Sequence, residues 1–190
     1  MKQAVSMLVL LALAWPVAAH AQESPTPSTT TATRQAQPFP DFYGLELGLG
    51  VVKPQDEDAA LGWLARVNMG EVTPNIYLVP GVEYWAKSSS ALGTKVSLHD
   101  LTVGAEVRYP FGSADMKFYA GAGAAMHFLS SKVESGGTET TDSHSRFGAD
   151  LLGGVQLQAS KTVGWFGEAK YRFVKDFGSL RFFGGLRWSP

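Results

Sequence analysis

The chain has 190 residues, with 16 basic and 17 acidic side chains that give a formal net charge of −1, and it contains no cysteine. This balanced charge gives no reason to expect nucleic acid or another polyanion as partner. The lack of cysteine excludes a fold held together by disulfide bonds.

The N-terminus predicts export. Lys2 precedes an apolar run over residues 4–19, and a small-x-small pattern of the kind read by signal peptidase ends at Ala21. The run is shorter than the ~20 residues that a membrane-spanning helix needs. We therefore predict a signal peptide over residues 1–21, cleaved after Ala21.

Residues 22–40 predict a disordered periplasmic leader. They are rich in Pro, Ser, Thr and Gln and hold almost nothing large and apolar before Phe39. Such a composition cannot bury enough apolar surface to fold. The folded domain is then expected over residues 41–190.

A strict alternation over residues 100–109 predicts a β-strand with one polar and one apolar face. The even positions are Asp100, Thr102, Gly104, Glu106 and Arg108, and the odd ones are all apolar. The same alternation, with no charge on the apolar parity, recurs in seven other stretches: 43–51, 61–69, 78–87, 118–128, 147–157, 165–173 and 180–188. These eight strands are joined alternately by long and short connections, which predicts an all-β, antiparallel up-and-down barrel.

The distribution of aromatic residues indicates which face is outside. A soluble lipocalin-like barrel would turn the apolar face inward, whereas a membrane barrel turns it to lipid. Aromatic side chains of the apolar parity cluster near both strand ends, which is typical of two membrane interfaces. The predicted girdles are Tyr43, Trp63, Tyr84, Tyr109, Phe118, Phe128, Phe147, Trp165, Tyr171 and Trp188.

The polar parity would then fill the lumen. An eight-stranded barrel is only wide enough to be filled by side chains, so we expect a packed network of ion pairs there. Its predicted members are Glu46, Arg66, Glu83, Glu106, Arg108, Asp150, Glu168, Lys170, Arg172 and Arg187.

The sequence resembles the small eight-stranded outer-membrane proteins of Gram-negative bacteria, the group of the OmpA transmembrane domain, OmpX and OmpW. The alternating strands carry this resemblance, together with the glycine-patterned stretch 119–125 and the closing strand 180–188, which ends at Trp188. It implies an outer-membrane location, contact with membrane lipid and lipopolysaccharide, and assembly by the barrel-assembly machinery. It also implies a monomer without cofactor whose loops serve envelope integrity, adhesion or resistance.

Two other functions stay open at this stage. One is a narrow channel for small or hydrophobic solutes, as the OmpW-like members suggest. The other is a lipid-modifying hydrolase at the outer rim, where His127 and His144 lie on neighbouring strands with Asp142 and Ser145 nearby. Neither histidine has the spacing of a metal site or a catalytic dyad, so we expect no enzyme.

The longest connection permits a prediction of register. Gly136-Gly137 suits a two-residue type I′ turn, in which both central residues need positive φ. A hairpin centred there pairs residues whose numbers sum to 273, so that His127 faces Arg146 and Leu129 faces His144. The hairpin would then project beyond the membrane, where an extracellular protein or surface ligand could bind it.

Overall fold

The computed structural model describes residues 40–190 apart from 56–57, 92–93, 114, 137 and 176–177. The predicted signal peptide and the leader up to residue 39 lie outside the described residues. No helix in the described ranges is long and apolar enough to cross a membrane.

Nine strands form one antiparallel sheet that closes on itself. In chain order they are β1 (Gly44–Pro54), β2 (Ala60–Asn68), β3 (Glu71–Thr73), β4 (Ile76–Ala91), β5 (Thr94–Gly112), β6 (Met116–Ser135), β7 (Thr138–Gln158), β8 (Val163–Val174) and β9 (Ser179–Trp188). Each long strand pairs with its neighbours in the chain, β1 pairs with β9, and β2 pairs with β4. The predicted eight-stranded up-and-down barrel is thereby confirmed, and β3 is a three-residue addition in the turn before β4.

The strands alternate between the two faces as the sequence predicts. In β8, Phe166 and Arg172 point inward and are 4% and 2% exposed, whereas Trp165 and Tyr171 point outward and are 55% and 41% exposed. The apolar set is therefore the outer surface, and the charged set is the interior. A soluble barrel would expose the opposite set, so this alternative is excluded by the burial pattern.

Pro80 interrupts the ladder on one side of β4. Pairing with β5 continues through Pro80, which faces Ala105, without a change of register. Pairing with β2 stops at Arg66 and Gly81, one residue before the proline that lacks a donor. Pairing is thus lost locally on the β2 side alone.

Four strands extend well beyond the barrel at the end opposite the short turns. The β7–β8 ladder reaches outward only to Gly148 and Val174, but β7 continues to Thr138. The β2–β4 ladder likewise ends at Ala86, while β4 continues to Ala91. The outer parts of β4 to β7 thus form a projecting sheet, comprising residues 87–91, 94–98, 131–135 and 138–147. Within the connection that follows the predicted strand 118–128, the projecting hairpin continues the ladder as its turn predicts. Residues 88–91, which the alternation did not mark as strand, continue β4.

Candidate functional site

The lumen is filled by a continuous set of buried ion pairs, and Arg66 lies in its middle. The guanidinium of Arg66 donates two hydrogen bonds to Glu168, of 2.8 and 3.0 Å, and one of 3.0 Å to Glu83. Its Nη2 atom also lies 3.2 Å from a carboxylate oxygen of Glu106. Bidentate pairing of this kind satisfies charges that are costly to bury alone.

Arg108 extends the network toward the short-turn end. It donates to both carboxylate oxygens of Glu46, at 3.0 and 2.9 Å, and to Glu106 and Glu168 at 2.9 and 3.1 Å. Its guanidinium carbon lies 4.6 Å from the centre of the Tyr119 ring, and the Tyr119 hydroxyl donates to Glu168 at 2.9 Å. Tyr119, whose role in the interior the sequence did not indicate, therefore links two ion pairs.

Lys170 joins the acidic residues of several strands. Its Nζ atom donates to Glu83 and Glu106, and it lies 3.8 Å from Asp150 and 3.7 Å from Glu168. The ammonium is completely buried. This single cation therefore holds several carboxylates together across the lumen.

Two further arginines lie toward the other end of the lumen. Arg172 binds Asp150 with two hydrogen bonds, of 2.5 and 2.6 Å, and its Nη1 atom lies 3.2 Å from Glu83. Arg181 donates to Glu83 at 2.9 Å and to Asp100 at 3.3 Å. Asp100 and Arg181 are not among the predicted members of the network, although both carry the interior parity.

The ion pairs leave little free space among them. A cavity between Arg66, Glu83, Thr102 and Asp150 measures about 10 Å³, which is about the room that one water molecule needs. A buried apolar cluster fills a further part of the lumen. It consists of Val52, Ala60, Leu64, Trp85, Phe166 and Phe183. The side chains in the described ranges therefore pack the lumen and do not line an open channel.

The two histidines considered for chemistry lie in different settings. His127 is fully buried, and its Nδ1 atom lies 3.0 Å from Asp100 and 3.1 Å from Thr102. Because both partners share one ring nitrogen, this is not the arrangement of a nucleophile and an orienting acid on opposite nitrogens. His144 is largely exposed beside Asp142, with 3.5 Å between them. Ser145, next to it in β7, points to the opposite face, so the structure does not form the dyad considered from the sequence.

The outer face carries most of the predicted aromatic girdle residues. Tyr84 is half-buried, with its ring 6.1 Å from that of Trp63 and its hydroxyl 2.9 Å from Nδ1 of His99. Eight others are between 40% and 65% exposed: Trp63, Tyr109, Phe118, Phe128, Phe147, Trp165, Tyr171 and Trp188. Four of these lie near the short turns and four near the opposite end of the barrel wall.

Tyr43 lies in a different place from the one predicted. The alternation predicts it on the apolar outer face, but it lines a cavity at the short-turn end of the lumen, and its ring lies 5.9 Å from that of Tyr77. The physical reason is Gly44, whose φ of 143° interrupts the alternation. A Cβ atom at Gly44 would lie 2.2 Å from the carbonyl oxygen of Trp188, so only glycine permits this close approach.

Arg187 is at the same end of the lumen and differs from the other predicted network members. Its Nη1 atom donates to the Gln156 side-chain oxygen at 2.8 Å, and the Gln156 amide donates to Glu46 at 3.0 Å. No carboxylate in the described part of the chain forms an ion pair with Arg187. The other nine predicted members all meet an opposite charge in the lumen.

The hairpin of β6 and β7 has the predicted register. His127 faces Arg146, Leu129 faces His144, and Ser135 faces Thr138 across the turn. Gly136 has a φ of 56°, as the first central position of a type I′ turn requires.

An ion-pair cluster lies on one face of this hairpin. The Nζ atom of Lys132 lies 2.8 Å from Glu134 and 2.9 Å from Glu139. Glu134 and Glu139 are directly opposite each other in the ladder. Lys132 thus offsets the repulsion between two like charges on adjacent strands.

A closed barrel with an apolar outer face and a charged interior defines the class of the protein. Neighbouring strands satisfy the backbone groups of the barrel wall, with pairing lost locally beside Pro80, and such satisfaction is the condition for crossing a bilayer. This is an integral β-barrel of the outer-membrane class.

Comparisons with known proteins support this class at the level of the fold. The Neisserial surface protein A has a TM-score of 0.56 and 19% identity, over 78% of this chain and 97% of its own. A major outer membrane protein of Thermus thermophilus has a TM-score of 0.63 and 12% identity, over 77% and 98%. Ail, the attachment invasion locus protein of Yersinia pestis, in complex with the heparin analogue sucrose octasulfate, has a TM-score of 0.57 and 10% identity, over 77% and 97%. No family model and no curated protein gave a significant match.

Proposed function

We propose that the protein is a surface-recognition barrel whose projecting sheet binds an extended segment of an extracellular protein. The observation that carries this proposal is the outer edge of β7. Residues 138–145 pair with β6 on one side, and the ladder to β8 begins only at Gly148. At about 3.4 Å per residue, this edge is roughly 27 Å long.

An edge of this kind offers backbone donors and acceptors in a row. Extended peptides add to such edges as a further strand, and alternate side chains then supply specificity. The edge contains Thr138, Thr140, Thr141, Ser143 and Ser145, whose short side chains leave the backbone accessible. It lacks proline and the lysines that commonly protect edges from pairing.

The charges of the projecting sheet favour a protein segment over a polyanion. Lys132 is already shared by Glu134 and Glu139, and Asp142 lies farther along the same strand as Glu139. Lys95 faces Glu134 in the ladder. The described residues of the projecting sheet therefore carry mixed charges there and not a basic patch of the kind that attracts sulfated or phosphorylated polymers. The Ail complex with a heparin analogue supports a surface role for this fold, but not the same ligand.

The test uses the two sides of the β7 ladder. Because Ser135 and Thr138 close a two-residue turn, even-numbered residues of outer β7 bond to β6 and odd-numbered ones present their N–H groups to the open edge. Ser143→Pro removes one such edge donor and leaves the bonds to β6. Ser143→Ala is the matched control, since it removes the hydroxyl and keeps the donor.

A library of phage-displayed linear peptides is selected against the refolded wild-type barrel. We expect the selected peptides to bind the wild type and Ser143→Ala equally, and Ser143→Pro at least about tenfold more weakly, because the lost hydrogen bond and the ring clash interrupt the added strand. Selection without any binder, or binders that do not distinguish the two variants, would contradict the proposal.

A further inference from the structure

A cavity of about 140 Å³ lies at the short-turn end of the lumen, between the ion-pair network and the periplasmic side. Tyr43, Tyr77 and Tyr119 contribute to its wall together with Lys117 and Arg187. A space of this size accepts a group of about six heavy atoms. We call it the mouth pocket.

Two cations face the mouth pocket without carboxylate partners among the described residues. The Nε atom of Arg187 is buried and has no hydrogen-bond partner in this part of the chain, while Nη1 donates to the neutral side chain of Gln156. Lys117 lies opposite Gln156 in the β6–β7 ladder and is exposed. Within the described ranges it forms no ion pair. A guanidinium that lines a cavity and donates to a neutral amide there still lacks a countercharge, so an anion in the cavity would be favoured.

The acidic groups nearby are already engaged. Glu46 at the inner end accepts two hydrogen bonds from Arg108 and one from Gln156. Glu71 on the rim accepts a hydrogen bond of 2.8 Å from the Tyr77 hydroxyl. Arg108 thus offsets the charge of Glu46, whereas Glu71 keeps its charge but is not among the residues that line the mouth pocket. The described lining residues include three cations, Arg108, Lys117 and Arg187, and no carboxylate, so the field inside the pocket is positive.

We propose that the mouth pocket binds a small anionic group, a carboxylate or a phosphate, that enters from the periplasmic side. The Arg187 guanidinium, which lines the pocket, supplies a fixed positive charge with hydrogen-bond donors, and Lys117 supplies a second, more mobile charge. The rings of Tyr43 and Tyr77 cover a short apolar or sugar-like body attached to the anion. The pocket is at the opposite end of the barrel from the projecting sheet, so this site is independent of surface recognition.

The test measures anion binding to the chain without its signal peptide, refolded in a neutral maltoside detergent, from chemical-shift changes in ¹⁵N NMR spectra. Inorganic phosphate and acetate are titrated in separate experiments, with chloride keeping the ionic strength constant. We expect saturable shifts of the Arg187 Nε–H resonance and of the backbone amide of Asn68, which also lines the mouth pocket. The resonances of the projecting sheet should not change. Saturation by phosphate alone assigns a phosphate ligand, saturation by acetate alone assigns a carboxylate, and saturation by both supports the shared anion class.

Variants of the two cations test whether Arg187 and Lys117 bind the anion. Arg187→Gln and Lys117→Gln are each expected to weaken binding by about tenfold or more, the size expected for the loss of one hydrogen bond to a charged group. Lys161→Gln is the matched control, because Lys161 is an exposed lysine in a turn at the same end of the barrel. Shifts that do not saturate, or affinities that are equal in all three variants, would overturn the proposal.

Discussion

Lys170 illustrates how strongly single residues of the lumen depend on one another. Its ammonium is fully buried among Glu83, Glu106, Asp150 and Glu168. Removing one partner of a buried ion pair leaves uncompensated charge, which costs more than the pair itself contributes.

The variant Lys170→Met is therefore expected to lower the free energy of unfolding by about 3–5 kcal/mol, because facing carboxylates lose their common cation. Urea unfolding in lipid vesicles, followed by tryptophan fluorescence, measures this. Lys161→Met, on an exposed turn, should change stability by no more than about 0.5 kcal/mol. Equal effects of the two variants would mean that Lys170 does not carry the network.

The interior residues could be assigned from the sequence, but their partners could not. Parity alone places Arg66 and Glu168 in the lumen, since charges are absent from the opposite face. Their contact joins residues 102 positions apart, and strand tilt around the barrel decides it. The position of Tyr43 could not be predicted from the sequence either, because nothing in the sequence shows that Gly44 adopts a positive φ.

At the scale of single elements, the turn at Gly136-Gly137 determines the register of the β6–β7 hairpin. With the register observed here, Lys132 faces Thr141. Counting from the turn, this is a pair whose residues do not exchange backbone hydrogen bonds, so the Cα atoms are about 4.5 Å apart. That distance lies within the range that a disulfide can bridge.

Cysteines replacing Lys132 and Thr141 should therefore form a disulfide efficiently under mild oxidation in the folded barrel. The measurement is a gel-shift assay with a thiol reagent before and after reduction. The pairs 132 with 139 and 132 with 143 serve as controls, since each is two residues out of register. Faster crosslinking of either control would show a different register.

The cluster of charges at the hairpin depends on pH. Hydrogen bonding and the charge of Lys132 lower the pKa of Glu134, and Lys95 contributes less. The hydrogen bonds to Glu134 and Glu139 in turn raise the pKa of Lys132. Because the folded hairpin favours ionised Glu134, its stabilising effect is present above the ordinary glutamate pKa and is lost as the pH falls through the lowered value.

Lys132→Gln is accordingly expected to raise the pKa of Glu134, since the favourable charge is lost and Glu139 still faces it. The carboxyl carbon shift of Glu134, recorded by NMR from pH 7 to pH 2, measures this directly. Lys95→Gln should cause a smaller shift in the same direction. A larger effect of Lys95→Gln would reverse the assignment of the dominant partner.

The ends of the strands were harder to predict than their centres. Within the membrane, every second side chain contacts lipid and must be apolar. The segments 100–109 and 147–157 can therefore be recognised as strands by their alternation. Beyond the membrane, water contacts both faces, and Ser88, Ser89 and Ser90 show no alternation at all. The alternation therefore does not mark the outer part of β4 as strand, although backbone pairing with β5 continues through it. In outer β7, the turn at Gly136-Gly137 predicts the continued pairing that the alternation misses.

At the scale of the whole molecule, the contacts that close the barrel do not depend on the projecting sheet. The wall closes through the β1–β9 and β2–β4 ladders. The buried apolar cluster and the ion pairs of the lumen involve no described side chain beyond residue 130 of β6 or before residue 146 of β7. The outer hairpin thus adds little to the packing of the barrel.

Replacing residues 132–141 by the two glycines of the turn should consequently leave a stable barrel, because the hydrogen-bonded pair 131 and 142 then flanks the new turn. We expect its gel mobility to remain heat-modifiable and its free energy of unfolding to fall by less than about 1 kcal/mol, because the deleted side chains are largely exposed. The same variant should no longer bind the peptides that were selected for binding to the β7 edge. Loss of heat-modifiability would show that barrel and projecting sheet fold as one unit.

The unequal height of the two sides of the rim has a consequence for antibodies. On the side of β1, β2, β8 and β9, the strands end lower than on the other side of the barrel. The outer parts of β4 to β7 rise above those strand ends and are therefore expected to be the most accessible part of the protein on intact cells. An immune serum raised against intact cells should thus be directed mainly at this one flank, and epitopes grafted at Gly136-Gly137 would be displayed there without disturbing the barrel.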